Sequence, residues 1–357
     1  MTELKTFRVI GLMSGTSLDG LDISCVDFSR SGKNKWEFDL VNAATVAFPP
    51  ELRNSLASVT KISGEELSLL DVQLGNFFGK EVNKKIEEWD LNRSRIDLIA
   101  SHGQTVFHQP KKGLTLQIGN GPQIAVQTGL VSVVDFRVKD VALGGNGAPL
   151  VPLADDQLFS QYAESFLNLG GFANISFRQD EWKSFDICPV NIVLNKLMSS
   201  FGMDYDENGA TGRSAGCDET ILDHLNSLDF YTNLGPRSLG WEWVESEVMP
   251  LLAKTDKSTA LGTFYRHVAK QISDILNSKH LSSVYITGGG AYNTYLIELI
   301  KARYSGSVII PSKEIVEFKE AIAFAFLGLK KILGETNIYS SVTGASRDSC
   351  SGVVHLP

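Results

Sequence analysis

The stretch GLMSGTSLDGLD at residues 11–22 sets Gly15, Thr16, Ser17 and Gly20 between two apolar runs, with Asp19 and Asp22 among them. Phosphate groups are held well by backbone N–H groups, and glycines let the backbone come close enough. The hydroxyls add donors. Two carboxylates do not favour bare phosphate oxygens, but they make sense around a magnesium ion or its water shell. The pattern is not a P-loop, because the lysine is missing and a strand, not a helix, is expected to follow. A plain β-hairpin with a glycine-rich turn accounts for the same residues.

Other stretches also offer chemistry. TGGGAY (287–292) reads as a strand-to-helix turn, suited to a nucleotide or simply to packing helix on strand. Arg137 carries a fork-shaped guanidinium that can clamp a carboxylate. Asp186, in a short loop ending at Pro189, is a candidate general base, and equally a candidate N-cap for a helix starting near Asn191. His102 reads first as a hydrogen-bonded structural histidine. Histidines 102, 108, 224, 267, 280 and 355 show no metal-binding spacing, and the four cysteines (Cys25, Cys188, Cys217, Cys350) are scattered, as in a reduced cytoplasmic protein.

The elements that must position these groups alternate between strand and helix. FRVIGL (7–12) and LDISCVDF (21–28) flank the opening turn as two strands, and SFLNLGGFANISFR (165–178) repeats that form once more. Helical spacing runs through 64–89, 190–201, 258–276 and 317–333. Residues 96–108 begin as a buried strand and are expected to run into a polar loop. The glycine-rich stretch within 131–159 is the expected domain crossing. The alternation argues for an α/β fold, and 357 residues suggest two domains. A 43% hydrophobic and 21% charged composition is that of a soluble globular chain. A net charge of −8 with no basic tract points away from nucleic acid and anionic membranes. Neither a signal peptide nor a membrane span is read from the sequence.

Taken in order, GLMSGTSLDGLD (11–22), SHGQTVFHQP (101–110), LQIGNG (116–121), DFRVKDVALGGNGAPLVP (135–152), NLGGFANIS (168–176), TGGGAYN (287–293), EAIAFAFLG (320–328) and VTGA (342–345) resemble the anhydro-N-acetylmuramic acid kinases. That family belongs to the actin, hexokinase and heat-shock chaperone ATPase superfamily. PRSLGWEWV (236–244) is similar to a further family segment, less closely. The resemblance implies a two-domain actin-like ATPase fold with duplicated mixed-sheet domains, expected here as residues 1–140 with 335–357, and 141–334. It implies ATP and a sugar in the cleft between domains, closure on binding, and a cytoplasmic homodimer. The implied reaction phosphorylates O6 of 1,6-anhydro-N-acetylmuramic acid while water opens the anhydro bridge at C1, yielding N-acetylmuramic acid 6-phosphate in cell-wall recycling.

Matched position by position, the resemblance gives Gly15, Thr16, Ser17, Leu18, Asp19, Gly20, Leu21 and Asp22 to the ATP phosphate loop, with Asp19 near Mg2+. It gives Gly170 and Gly171 to a second phosphate hairpin, and Gly288, Gly289 and Gly290 to the adenosine side. Asp186 falls on the family's base, and His102, Gln104, Arg137 and Glu320 fall in motifs lining the sugar side. One loop departs from the pattern. The family's D-x-G-P-G-N is DICPVN here (186–191), so Cys188 and Val190 put side chains where backbone is expected to approach a ligand. Two alternatives follow: a kinase of the same fold acting on another sugar or small acid, and a nucleotide-gated binding protein without turnover.

Overall fold

The computed structural model describes residues 5–15, 17–30, 35–232 and 239–357. Thr16 and the first part of PRSLGWEWV (236–238) lie outside the described residues. The chain divides into two compact units, Met1–Phe159 with Phe318–Pro357, and Ser160–Glu317.

In the first unit, β1 (Thr6–Ser14), β2 (Leu21–Arg30), β3 (Trp36–Val46) and β4 (Ile96–Ser101) come first. A two-stranded hairpin, β5 (Gln104–Gln109) and β6 (Leu114–Ile118), follows them, then β7 (Ser132–Val134). In the second unit are β8 (Ser165–Leu169), β9 (Phe172–Arg178), β10 (Trp182–Pro189), β11 (Ser283–Thr287) and β12 (Ser307–Ile309). The chain closes with β13 (Val353–His355), back in the first unit. The first sheet runs β13-β7-β4-β1-β2-β3 and the second β10-β9-β8-β11-β12. In each, an antiparallel three-strand meander is extended by two strands parallel to its first member. The same order therefore occurs twice, as expected of the duplicated α/β architecture.

The central strands are apolar on both faces because both are covered: Val9, Ile10 and Leu12 of β1 are fully buried. Helix Gly64–Glu88 starts at a capping box, in which Ser63 Oγ accepts from Glu66 N and Glu66 Oε2 accepts from Ser63 N. It lays Leu70, Leu74, Phe78, Val82 and Ile86 along one stripe against that sheet. Helix Lys257–Ser278, capped by Asp256, does the same for the second unit through Phe264, Val268 and Ile272.

Two expectations need correction. The polar run after residue 101 is not a loop, since Gln104–Gln109 pairs with Leu114–Ile118. The unit boundaries also differ from those expected: 141–159 and 318–334 belong to the first unit. Packing explains the second point. A side chain on Gly11 would collide with the Ala321 carbonyl, and Phe326 packs on Phe28 and Trp36 at 5.4 Å each, so this stretch of helix Lys313–Ile332 lies directly on β1 and its neighbours. Among the described residues no helix is long and apolar enough to cross a membrane.

Candidate functional site

The opening turn is a tight one, with Leu18 N–H donating to the Gly15 carbonyl at 3.2 Å and Leu18 held at φ 57°. That left-handed conformation is uncommon for leucine and costs of order 1–2 kcal/mol. Ser17 and Asp19 are exposed, and a side chain on Gly15 would meet nothing closer than 3.7 Å, so this part of the turn is open. Gly20 is glycine for a different reason: a Cβ there would run into the Val46 carbonyl. Leu21 is already part of β2 and wholly in the core, so its side chain does not belong to the turn's open surface. Asp22 accepts from Thr45 Oγ1 at 2.5 Å.

Four separated motifs of the first unit meet in one polar network. His102 is 5% exposed, and its Nε2 accepts from Arg137 Nε at 3.1 Å and Nη2 at 2.8 Å, while its Nδ1 lies 2.8 Å from the Gly103 carbonyl. Arg137 Nη1 donates to the Gly147 carbonyl at 2.6 Å. Gly147 N–H donates to Asp140 Oδ2 at 2.8 Å, and Thr343 Oγ1 to Asp140 Oδ1 at 2.7 Å. Gln104 is also buried, accepting from Ser14 Oγ and so tying β5 to the end of β1. Within the protein, the guanidinium thus holds an imidazole and a carbonyl.

Burial, reinforced by the Arg137 charge, pushes the His102 imidazole down to about 3. Burial likewise lowers Arg137 to about 10, against the opposing pull of Glu320 and Asp140, and it remains cationic at neutral pH. Glu320 is crowded by protein while still open to solvent. Burial raises its carboxyl above the usual range, Arg137 and Lys319 offset part of that, and Asp22 adds to it. Lys319 itself is committed to Asp155 at 2.6 Å. Glu320 therefore stands within electrostatic reach of both Arg137 and Asp22, which joins the Arg137 network to the end of the opening turn.

In the second unit, Asp186 lies inside β10, opposite Asn174, just before a register shift at Cys188. It is neither in a loop nor a helix cap: Val190 occupies the cap position of helix Asn191–Ser199, with no side-chain cap bond. Asp186 Oδ2 accepts from Leu239 N–H at 2.9 Å. The Gly170–Gly171 turn serves that helix from outside, its carbonyls accepting from Val190 N at 2.8 Å and from Asn191 N and Ile192 N at 3.3 Å. Cys188 and Val190 are fully buried in the unit's apolar core. Neither side chain is exposed at the surface of the unit.

The three glycines of 288–290 divide by role. Gly288 sits at φ 81°, where a Cβ would strike Asn168 Oδ1, and one on Gly290 would stand 2.7 Å from Leu169 Cβ. Both let β8 pass closely. Only Gly289 is open, with nothing nearer than Asn191 Nδ2 at 3.9 Å. The following helix, Thr294–Arg303, is capped by the Asn293 side chain.

Sequence reasoning missed Asp140 and Thr343, although both lie inside motifs it quoted. The signal was a carboxylate four residues before a glycine pair, a short-range way of holding a tight loop. Among the described residues there is no cluster of three or more His, Cys, Asp or Glu side chains suited to a metal.

The sequence pattern of the family described as "Anhydro-N-acetylmuramic acid kinase" matches residues 7–357. Anhydro-N-acetylmuramic acid kinase of Shewanella baltica (strain OS155 / ATCC BAA-1091) is 34% identical over 371 residues, 98% of each chain. That of Shewanella pealeana is 33% identical over 365 residues, 96% of this chain and 97% of the other. Among solved structures, the chain is similar to the activator of the 2-hydroxyisocaproyl-CoA dehydratase from Clostridium difficile with bound ADPNP (TM-score 0.44, 13% identity, 92% of this chain and 97% of that one). It is also similar to a ROK hexokinase from Thermus thermophilus (TM-score 0.42, 11% identity, 91% and 100%). With a match that spans nearly the whole sequence and relatives at a third identity over almost their full length, the chain belongs to the anhydro-N-acetylmuramic acid kinase family.

Proposed function

We propose that this protein is an ATP-dependent kinase that opens 1,6-anhydro-N-acetylmuramic acid and phosphorylates its O6, giving N-acetylmuramic acid 6-phosphate in cell-wall recycling. Water adds its oxygen to C1 and gives its proton to the Asp186 carboxylate. The C1–O6 bond breaks as O6 takes the γ-phosphoryl group, and ADP leaves. Asp186 is the general base, oriented by the Leu239 N–H. Gly15, Thr16, Ser17 and Gly20 offer the phosphates backbone and hydroxyl donors, joined by the Gly170–Gly171 turn. The open Gly289 gives the nucleotide its closest backbone approach, and Arg137 and Glu320 contact the sugar.

Asp19 suits magnesium, being an exposed hard-oxygen donor in a glycine-rich turn, and would hold it through water. When bound, the ion neutralises charge on the transferred phosphates. The reading carries with it the cytoplasmic homodimer that the family resemblance implies.

The observation that most supports the reading is the strand-held Asp186, with Val190 and not Asp186 at the cap of the neighbouring helix. The burial of Cys188 and Val190 also weakens the binding-protein alternative, which rested on their side chains obstructing a ligand. A panel of sugars assayed for ADP release tests it. Turnover that requires the anhydro ring agrees with the proposal, and turnover of ordinary hexoses refutes it. Asp186→Asn should keep sugar affinity while losing at least about a hundredfold in rate, and an unchanged rate refutes the base assignment.

A further inference from the structure

We infer that His102 is a positioning residue that acts through Arg137: the lone pair at its Nε2 gathers two guanidinium N–H groups and fixes which edge of that guanidinium meets the sugar. The inference rests on the sugar-side reading of Arg137 above. The geometry leaves one arrangement of hydrogens. Arginine has only donors, so Nε2, 3.1 Å from Nε and 2.8 Å from Nη2, must be the acceptor. The ring hydrogen therefore sits on Nδ1 and goes to the Gly103 carbonyl at 2.8 Å.

The ring cannot turn away, because Phe324 packs on it at 4.6 Å between centroids and Phe136 backs Phe324 at 5.6 Å. The accepting carbonyl is fixed too: Gly103 is at φ 73°, and a Cβ there would stand 2.6 Å from the Ile118 carbonyl oxygen. On the far side, Nη1 is spent on Gly147. Of the five guanidinium N–H groups, one on each terminal nitrogen then remains for a carboxylate or hydroxyl of the substrate. Burial beside a permanent cation keeps the imidazole uncharged, so it neither repels Arg137 nor serves as a base itself.

The test compares His102→Leu, which fills the space without an acceptor, with His102→Gln, whose carbonyl reaches the Nε2 position. Affinity for the anhydro sugar is read by calorimetry and the KM for ATP by turnover. The expected result is a roughly tenfold loss of sugar affinity in H102L, an ATP KM within about twofold, and recovery of most of the loss in H102Q. In an Arg137→Ala background the same H102L change should shift sugar affinity by less than about twofold, since no guanidinium is left to orient. Sugar affinity unchanged in H102L, equal losses for sugar and ATP, no rescue by Gln, or an undiminished effect without Arg137 would each overturn the inference. Should H102L fail to fold, His102→Asn keeps the donor to Gly103, loses the acceptor, and carries the same expected loss. A wild type that binds the sugar without turning it over contradicts the proposed activity and leaves the calorimetric His102 comparison, with its Gln and Arg137→Ala arms, readable.

Discussion

Asp140 accepts a 2.7 Å hydrogen bond from Thr343, 203 positions further along the chain, and a 2.8 Å bond from the N–H of Gly147. One fully buried carboxylate thereby fastens the C-terminal VTGA motif to the loop whose Gly147 carbonyl anchors Arg137. Two polar groups depend on it, and both are buried away from water.

Replacing Asp140 by Ala leaves those partners unsatisfied in the interior. The expected cost is about 2–4 kcal/mol in a urea titration, with weakened sugar affinity because the Gly147 carbonyl is released. Asp140→Asn, which retains one acceptor, should lose less than half as much. Equal stability of wild type and D140A would show that the carboxylate fastens nothing.

How far the sequence discloses such a structure depends on the range of the interactions. The Gly64–Glu88 helix and the repeated hairpins at 6–30 and 165–178 are local patterns, and they stand where expected. The unit boundary is not legible in the sequence because helix Lys313–Ile332 reads as a continuous periodic run, and nothing in that run says which sheet its 318–332 portion covers. The pattern DICP reads as a break that places Asp186 in a loop, yet the strand absorbs it with a shift of register. The imidazole partner of Arg137, 35 positions away, is a tertiary fact that no spacing rule supplies.

Gly288 and Gly289 are adjacent and should behave oppositely. Gly288→Ala must adopt φ 81° and displace Asn168, so a loss of about 2–4 kcal/mol is expected in thermal or chemical denaturation. Gly289→Ala meets open space and should stay within about 1 kcal/mol of wild type while weakening nucleotide binding. A stable G288A protein would contradict the close approach of β8.

Val190 fills core volume. Val190→Ala should cost about 2 kcal/mol in stability by cavity formation, with turnover of the folded enzyme nearly unchanged. A faster V190A enzyme would mean that the valine obstructs a ligand after all.

The acid limb of stability should be steep. His102 and His267 are both buried and both pushed down to about 3, from an unfolded value near 6.5. Between those limits the unfolded chain binds the extra protons, so their contribution is complete above pH 6.5 and is lost as pH falls toward 3. From pH 6.5 to 5 the loss is about 2 kcal/mol for each histidine. Glu320 and Asp135, raised by burial, act in the opposite sense. Urea titrations at the two pH values should show the fall, and His267→Asn should remove about half of the histidine part. An identical pH slope in that variant would refute the assignment.

The most direct measurement of the central claim is turnover of 1,6-anhydro-N-acetylmuramic acid with ATP and magnesium in 18O-labelled water. The account predicts one ADP for each N-acetylmuramic acid 6-phosphate, with phosphate on O6 and the label on the C1 oxygen. ADP without phosphorylated sugar, or a product that keeps its anhydro ring, would contradict it.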